Sequence, residues 1–275
     1  MDDIRAARGD SGRLFFKMPG ERLDDLNRGG LQILQKEKGF RFGTDAVLLA
    51  DFAAPKPGDR GADLGAGGGI LSILMADAQP KAYFDAVEWQ EDMCDMARRS
   101  VAGNGLEDRI AVHHLDVRLA PRALGYSGHS LVICNPPYNP RGTAPASPEP
   151  AHHLARHEGD STVEDFVDCA AKLLKNGGRA AFVYPAPRAF DLMCALRARR
   201  LEPKRVRLVI DRPEARPKLI LIDSVKGAGS MLDWLPPLFL KNADGSPSDE
   251  YRRIYRLTLD ETTGKPHNIL GAECQ

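Results

Sequence analysis

The chain is expected to be an α/β protein with a mostly parallel seven-stranded sheet, its last strand antiparallel, and helices on both faces. Three observations predict this. From Arg60 onward, short apolar strand patterns alternate with helical ones, the order that builds strand-helix-strand units. A glycine-rich stretch, Asp63-Leu64-Gly65-Ala66-Gly67-Gly68-Gly69, joins the first strand of that series to its first helix. Asn135-Pro136-Pro137-Tyr138 directly follows an apolar strand at 130–134, and Pro-Pro punctuates loops.

The elements follow in order. Residues 1–30 carry scattered charge with little periodicity and read as a partly ordered arm. Short strands are expected at 31–34 and 40–42, and Thr44 or Asp45 can cap a helix through 46–52. Pro55, Pro57 and Gly58 close that unit. Strands are then expected at 61–64, 83–87, 110–115, 130–134 and 179–184, and helices at 69–76, 91–104, 162–174 and 189–199. Segments 205–210 and 218–224 look like an antiparallel pair that finishes the sheet. The organisation is an arm and capping helix over 1–57, a main domain over 58–225, and an extension over 226–275 packing on it.

Composition narrows the classes. With 275 residues, 43% hydrophobic and 28% charged, the chain can bury one good core. The first ten residues contain no apolar leader segment and no later run approaches the roughly 18 apolar residues that span a bilayer. A cytoplasmic protein without membrane contact is expected. Five widely spaced cysteines (94, 134, 169, 194, 274) indicate neither a disulfide framework nor a zinc site. Lys+Arg and Asp+Glu both total 38, yet residues 197–218 hold nine basic residues against three acidic ones. That segment is either a solvated face or a phosphate-contacting patch.

The glycine stretch suits a nucleotide-like ligand at a helix N-terminus. Counting from Gly65, the sixth position is Ile70 rather than Gly or Ala, so the dinucleotide fingerprint is not met. Asp63 beside the turn would repel phosphate but can pair with an α-ammonium group, which points to S-adenosylmethionine. Gly65, Gly67 and Gly69 would admit the ligand. Glu88, nineteen residues after Gly69, could bind both ribose hydroxyls, Trp89 could pack on the adenine, and Asp116 with the Val117 N–H could address its edge.

Asn135 and Pro136 supply the other half. An amino group conjugated to a ring or carbonyl is a poor nucleophile, and two fixed acceptors can draw it toward tetrahedral geometry. The Asn135 side-chain oxygen and the Pro136 carbonyl are those acceptors, with Tyr138 stacking on the flat substrate. Residues 139–156, rich in Pro, Gly, Ser and Ala, read as a loop over this site, either a substrate-ordered lid with Arg156, His157 and Glu158 returning to the pocket rim or a plain surface loop.

On these motifs the chain resembles the Rossmann-like class I S-adenosylmethionine-dependent methyltransferases. Within them it is similar to the N6-adenine methyltransferases that modify the adenine beside the anticodon of a valine tRNA. The narrower resemblance spans about 31–255 and rests on Lys38-Gly39-Phe40-Arg41-Phe42-Gly43-Thr44-Asp45-Ala46-Val47-Leu48-Leu49, the glycine turn, Asn135-Pro136-Pro137-Tyr138 and Ala155-Arg156-His157-Glu158. It implies an RNA substrate, with Arg197 and Arg205 contacting phosphates and Arg156 and His157 at the substrate. Two alternatives stand beside it: a glutamine-directed protein methyltransferase, which needs the same two acceptors, and a non-catalytic binding module. The first family looks to have a helical N-terminal domain, whereas a short arm, strands and a capped helix are expected before Arg60 here; the intact Asp63, Glu88, Asp116 and Asn135 argue against the second.

Overall fold

Strand pairing begins well before the main sheet. The computed structural model describes residues 5–8, 12–38, 43–138 and 161–257. Strands β1 (Arg5–Arg8) and β2 (Leu14–Lys17) pair antiparallel, and β3 (Glu21–Asp25) forms a hairpin with β4 (Gln32–Lys36). Helix α1 (Thr44–Ala53) leads into the alternating series β5 (Arg60–Leu64), α2 (Ile70–Ala78), β6 (Tyr83–Glu88), α3 (Glu91–Gly103), β7 (Ile110–His114), α4 (Ala120–Leu124), β8 (His129–Cys134), α5 (Val163–Leu173) and β9 (Leu174–Pro185). A 3-10 turn (Ala186–Arg188) precedes α6 (Ala189–Ala198), and the long strands β10 (Leu201–Ile210) and β11 (Pro217–Lys226) follow. The tail adds β12 (Asp233–Trp234), β13 (Leu238–Phe239) and α7 (Asp249–Tyr255).

The seven central strands run in the order β7-β6-β5-β8-β9-β11-β10. All are parallel except β11, which is antiparallel to both neighbours. The expected sheet is therefore present. Beyond expectation, β12 and β13 both pair with the outer side of β10, which covers an edge that would otherwise offer unpaired backbone groups to another chain. One apolar cluster lies against α1 and α2 and includes Leu31 and Ile33 from the N-terminal segment and Ile254 from the tail. The other lies under α5 and α6.

The arm expected over 1–30 is corrected. Its charges look scattered because their partners are distant in sequence. The Arg99 guanidinium donates to both Glu21 carboxylate oxygens at 2.7 Å. Phe15 is fully buried against Gly103, where a Cβ would stand 2.2 Å from the ring. Strand β4 is pinned to α3 by buried polar groups: Leu34 N donates to Ser100 Oγ at 3.0 Å, and the Asn104 amide bonds both the N–H and the C=O of Gln32 at 3.1 and 2.6 Å. The strand expected at 40–42 lies outside the described residues.

The Asn104 amide replaces the water that Gln32 would otherwise bind. Asn104→Ala should lower the unfolding free energy by about 1–3 kcal/mol, the usual penalty for stranding buried backbone groups. Urea unfolding measures it, and an unchanged midpoint and slope would mean that β4 is held by apolar contact alone.

Candidate active site

Strand β5 is where the strand order reverses, since β6 and β8 flank it, and open α/β sheets bind ligands at the carboxyl ends of strands at such a point. Register then decides what meets there. Leu64 pairs with Cys134 on one side and Val87 on the other, so Gly65, Asn135 and Glu88 leave the sheet level with one another. A cavity of about 600 Å³ opens at this edge.

The glycine turn forms its floor. Gly65, Gly67 and Gly69 all have positive φ, at 75°, 54° and 87°, the region that side-chain-bearing residues avoid. The turn is pinned to β6 by hydrogen bonds from Gly65 N and Ala66 N to Val87 O at 2.9 and 3.0 Å. Gly65 and Gly67 line the cavity, while Gly69 begins α2 and packs against Ala97. The β3–β4 hairpin, of which only a strand at 31–34 was expected, supplies the facing wall, with Ile33, Leu34 and Gln35 lining the cavity and Leu34 O close above Gly68.

Glu88, Trp89 and Val117 line the same cavity. The Glu88 carboxylate accepts the N–H groups of Gly67, Trp89 and Gln90, each at 2.9 Å. With about four acceptor positions on a carboxylate, one stays open toward the cavity, so Glu88 can accept a further donor without giving up the turn. Asp63 and Asp116 are not on the cavity wall. Asp63 is fully buried behind the turn, where Oδ2 accepts the N–H and hydroxyl of Ser72 at 3.1 and 2.9 Å. The carboxylate that looked like an ammonium partner holds α2 onto β5 instead. Asp116 is turned toward Arg118, which forms an ion pair with it and donates its backbone N–H at 2.8 Å. The expected contact of Asp116 with an adenine edge is therefore not seen in this arrangement.

The acceptor corner holds a residue the sequence reading placed elsewhere. Asp45 was expected as a candidate helix cap; the cap position is Gly43, without a side-chain bond, and Asp45 faces the cavity. Asn135 Nδ2 donates to Asp45 Oδ2 at 2.9 Å. The Tyr138 hydroxyl lies 2.6 Å from Asn135 Oδ1 and 2.9 Å from Asp45 Oδ2, with one proton to share between them. Burial and the neighbouring Asp45 push the Tyr138 hydroxyl well above the usual phenol range, which keeps it a donor. Its ring meets Tyr184 edge-on at 5.9 Å. Arg188, unnoticed in the sequence, donates to Tyr138 O at 2.9 Å and lies over the Tyr184 ring. Pro136 is buried and Pro137 exposed. Neither has an N–H, so the corner backbone at these two positions presents carbonyls only.

The basic segment is largely consumed by structure. Arg197 pairs with Glu202, and Arg199 with Asp168. Arg205 pairs with the buried Asp223 at 2.7 Å and lies over the Phe52 ring, and Arg207 forms a two-point pair with Glu250. Arg197 and Arg205 thus have structural partners in place of the expected phosphates. Arg156 and His157, with the loop over 139–156, lie outside the described residues. Among the described residues, no three His, Cys, Asp or Glu side chains gather as metal ligands, and no helix is long and apolar enough to cross a membrane.

The Methyltransferase small domain family matches residues 37–191, more than half of the chain. The chain belongs to that family. It is an S-adenosylmethionine-dependent methyltransferase, and the site suits the donor: a glycine floor, apolar walls and a Glu88 carboxylate that would repel phosphate. This methyltransferase is 29% identical to a tRNA1(Val) (adenine(37)-N6)-methyltransferase of Porphyromonas gingivalis, covering 78% of this chain and 87% of the relative. A protein of the same name from Parabacteroides distasonis is 30% identical, with 67% and 76% covered. Among solved structures, one from Agrobacterium tumefaciens described as a predicted O-methyltransferase superposes with a TM-score of 0.64 at 25% identity, covering 78% of this chain and 96% of that one. A Pyrococcus horikoshii protein described as a transferase shares the fold, with a TM-score of 0.55 at 16% identity over 81% of this chain and 79% of that one.

Burial pushes the Asp63 carboxyl up to about 7 from 3.8, against the two Ser72 bonds and helped by negative Glu88. A carboxyl raised on folding holds its proton more tightly in the folded chain. Its contribution to stability is complete below about 4 and is lost as pH rises through about 7. Asp63→Asn, which keeps an acceptor for Ser72 and cannot ionise, should therefore remove part of the fall in stability between those values. Denaturant midpoints across that range measure it, and identical slopes in both proteins would mean that Asp63 titrates as an ordinary carboxyl.

Proposed function

We propose that this methyltransferase transfers a methyl group to the exocyclic N6 of an adenine in RNA, and that the RNA is a tRNA. One observation carries the reading: the Asn135-Pro136-Pro137-Tyr138 corner stands level with the glycine turn, with the Asn135 amide held by Asp45. The names of the relatives, whose similarity extends over most of the chain, support adenine and tRNA.

When bound, S-adenosylmethionine supplies a methyl group on a positively charged sulfur. Asn135 Oδ1 and the Pro136 carbonyl accept the two N–H hydrogens of the adenine amine and orient its lone pair. Asp45 decides which end of the Asn135 amide does this. A carboxylate only accepts hydrogen bonds, so the amide nitrogen turns to Asp45, and the oxygen, which meets the Tyr138 hydroxyl at 2.6 Å, keeps its second lone pair for the substrate. Tyr138, with its hydroxyl held between Asp45 and Asn135 Oδ1, offers its ring to the flat base. With its lone pair so aimed, the amine nitrogen would take the methyl carbon while the sulfur keeps the C–S electron pair, and the proton of the resulting cationic nitrogen would pass to solvent. A hydroxyl acceptor, as an O-methyltransferase uses, would instead need a base for its proton and would leave one of the two acceptors idle.

Asn135→Ala should lower kcat by at least ~10²-fold, the loss expected for a positioned transition-state hydrogen bond, while leaving donor affinity by calorimetry unchanged. Total RNA incubated with enzyme and isotopically labelled donor, digested and weighed by mass spectrometry, should yield N6-methyladenosine. Label in protein and none in RNA would replace this reading with methylation of a glutamine side chain.

A further inference from the structure

The sheet divides the basic residues of 197–218 between two opposite edges. Helix α6 runs back from the carboxyl edge, so Arg197, Arg199 and Arg200 at its end lie at the amino edge, away from the cavity. Strand β10 is parallel to β9, so the turn at 211–216 emerges at the carboxyl edge, the edge that carries Asn135. In the sheet order β8-β9-β11-β10, that turn stands two to three strand spacings from the acceptor corner, about 10–15 Å. Arg212, Arg216 and Lys218 are exposed there, beside one exposed acid, Glu214. Among the described residues, none of the three is joined to a carboxylate, unlike Arg197, Arg199, Arg205 and Arg207.

An exposed aromatic ring lies at the same edge, on the helix that follows β9. Phe190, in the first turn of α6, is 76% exposed, more than Phe16 at 48% or Trp234 at 61%. It is two residues beyond Arg188, which holds the Tyr138 carbonyl. Lys218 is level with the end of β9, since Leu219 pairs with Pro185. An exposed ring at the same edge as cations without carboxylate partners is what a strand with stackable bases and charged phosphates requires. Nothing in a glutamine-bearing peptide calls for it.

Resting on RNA as the substrate, we infer that the rim formed by Phe190 with Arg212, Arg216 and Lys218 is the surface that grips an RNA loop. Phe190 stacks on a base flanking the target, the three cations follow the phosphates, and the target adenine is splayed past Pro137 toward Tyr138. The occupant is a single-stranded segment, because a base paired in a helix could not reach the cavity.

Two matched sets of substitutions test this in the full chain, with an unmodified tRNA pool as probe. Arg212→Ala/Arg216→Ala/Lys218→Ala should weaken RNA binding about tenfold or more and reduce the salt dependence, log Kd against log salt, by about 2. Phe190→Ala should weaken binding about tenfold with the salt slope unchanged. Arg197→Ala/Arg200→Ala, at the opposite edge, should alter neither. Donor affinity should match wild type throughout. The proposal is overturned if the rim triple binds RNA as wild type does, if the opposite-edge pair weakens binding equally, or if the triple also loses the donor, which would make those side chains structural. Wild-type protein that binds and methylates no RNA would instead sink the function proposed above.

Discussion

The bond from the Asn135 amide nitrogen to the Asp45 carboxylate is the interaction on which the site depends. It joins residues 90 positions apart and brings together the N-terminal helix and the end of β8. An asparagine amide has nearly the same shape whichever way it is turned, so only its neighbours decide whether oxygen or nitrogen is offered. A carboxylate on one side decides it. Tyr255 helps hold α1 in place from behind: it is buried against the core and hydrogen-bonded to Thr44. The tail helix α7 therefore supports the acceptor corner from a distance.

Register brings the other half to that corner. Because Leu64 lies opposite Cys134, the two chains turn out of the sheet at the same height, one strand spacing apart, about 4.8 Å. A slip of one residue would turn every β8 side chain to the other face of the sheet. That slip is opposed by Leu131, Val132, Ile133 and Cys134, all fully buried and divided between the two cores. The chemistry is thus aligned by ordinary apolar packing, and only a few polar groups finish it.

What could be read in the sequence, and what could not, follows from where partners lie. The glycine turn was legible because positive φ leaves a local mark, and the diproline corner because proline does the same. Strand and helix alternation from Arg60 carried the seven-stranded sheet. The pairing within the N-terminal segment was less legible: a strand was expected at 31–34, but the anchors are Gly103, which receives Phe15 of β2 by lacking a side chain, and Ser100 and Asn104, which hold β4 and resemble any solvent-facing pair on a helix. Asp63 misled because a carboxylate beside a glycine turn reads the same whether it faces the ligand or the back of the turn. At Arg199, Arg205 and Arg207 the basic segment misled similarly, since counting charge along the chain does not see Asp168, Asp223 or Glu250, the partners brought to them by folding.

The most direct test of this account is a double-mutant cycle on turnover between Asp45 and Asn135. If Asp45 acts by orienting the Asn135 oxygen, Asp45→Asn lowers kcat at unchanged donor affinity, and adding Asn135→Ala leaves the enzyme no slower than Asn135→Ala alone. Losses that simply multiply would show that the two residues act independently, and would contradict it.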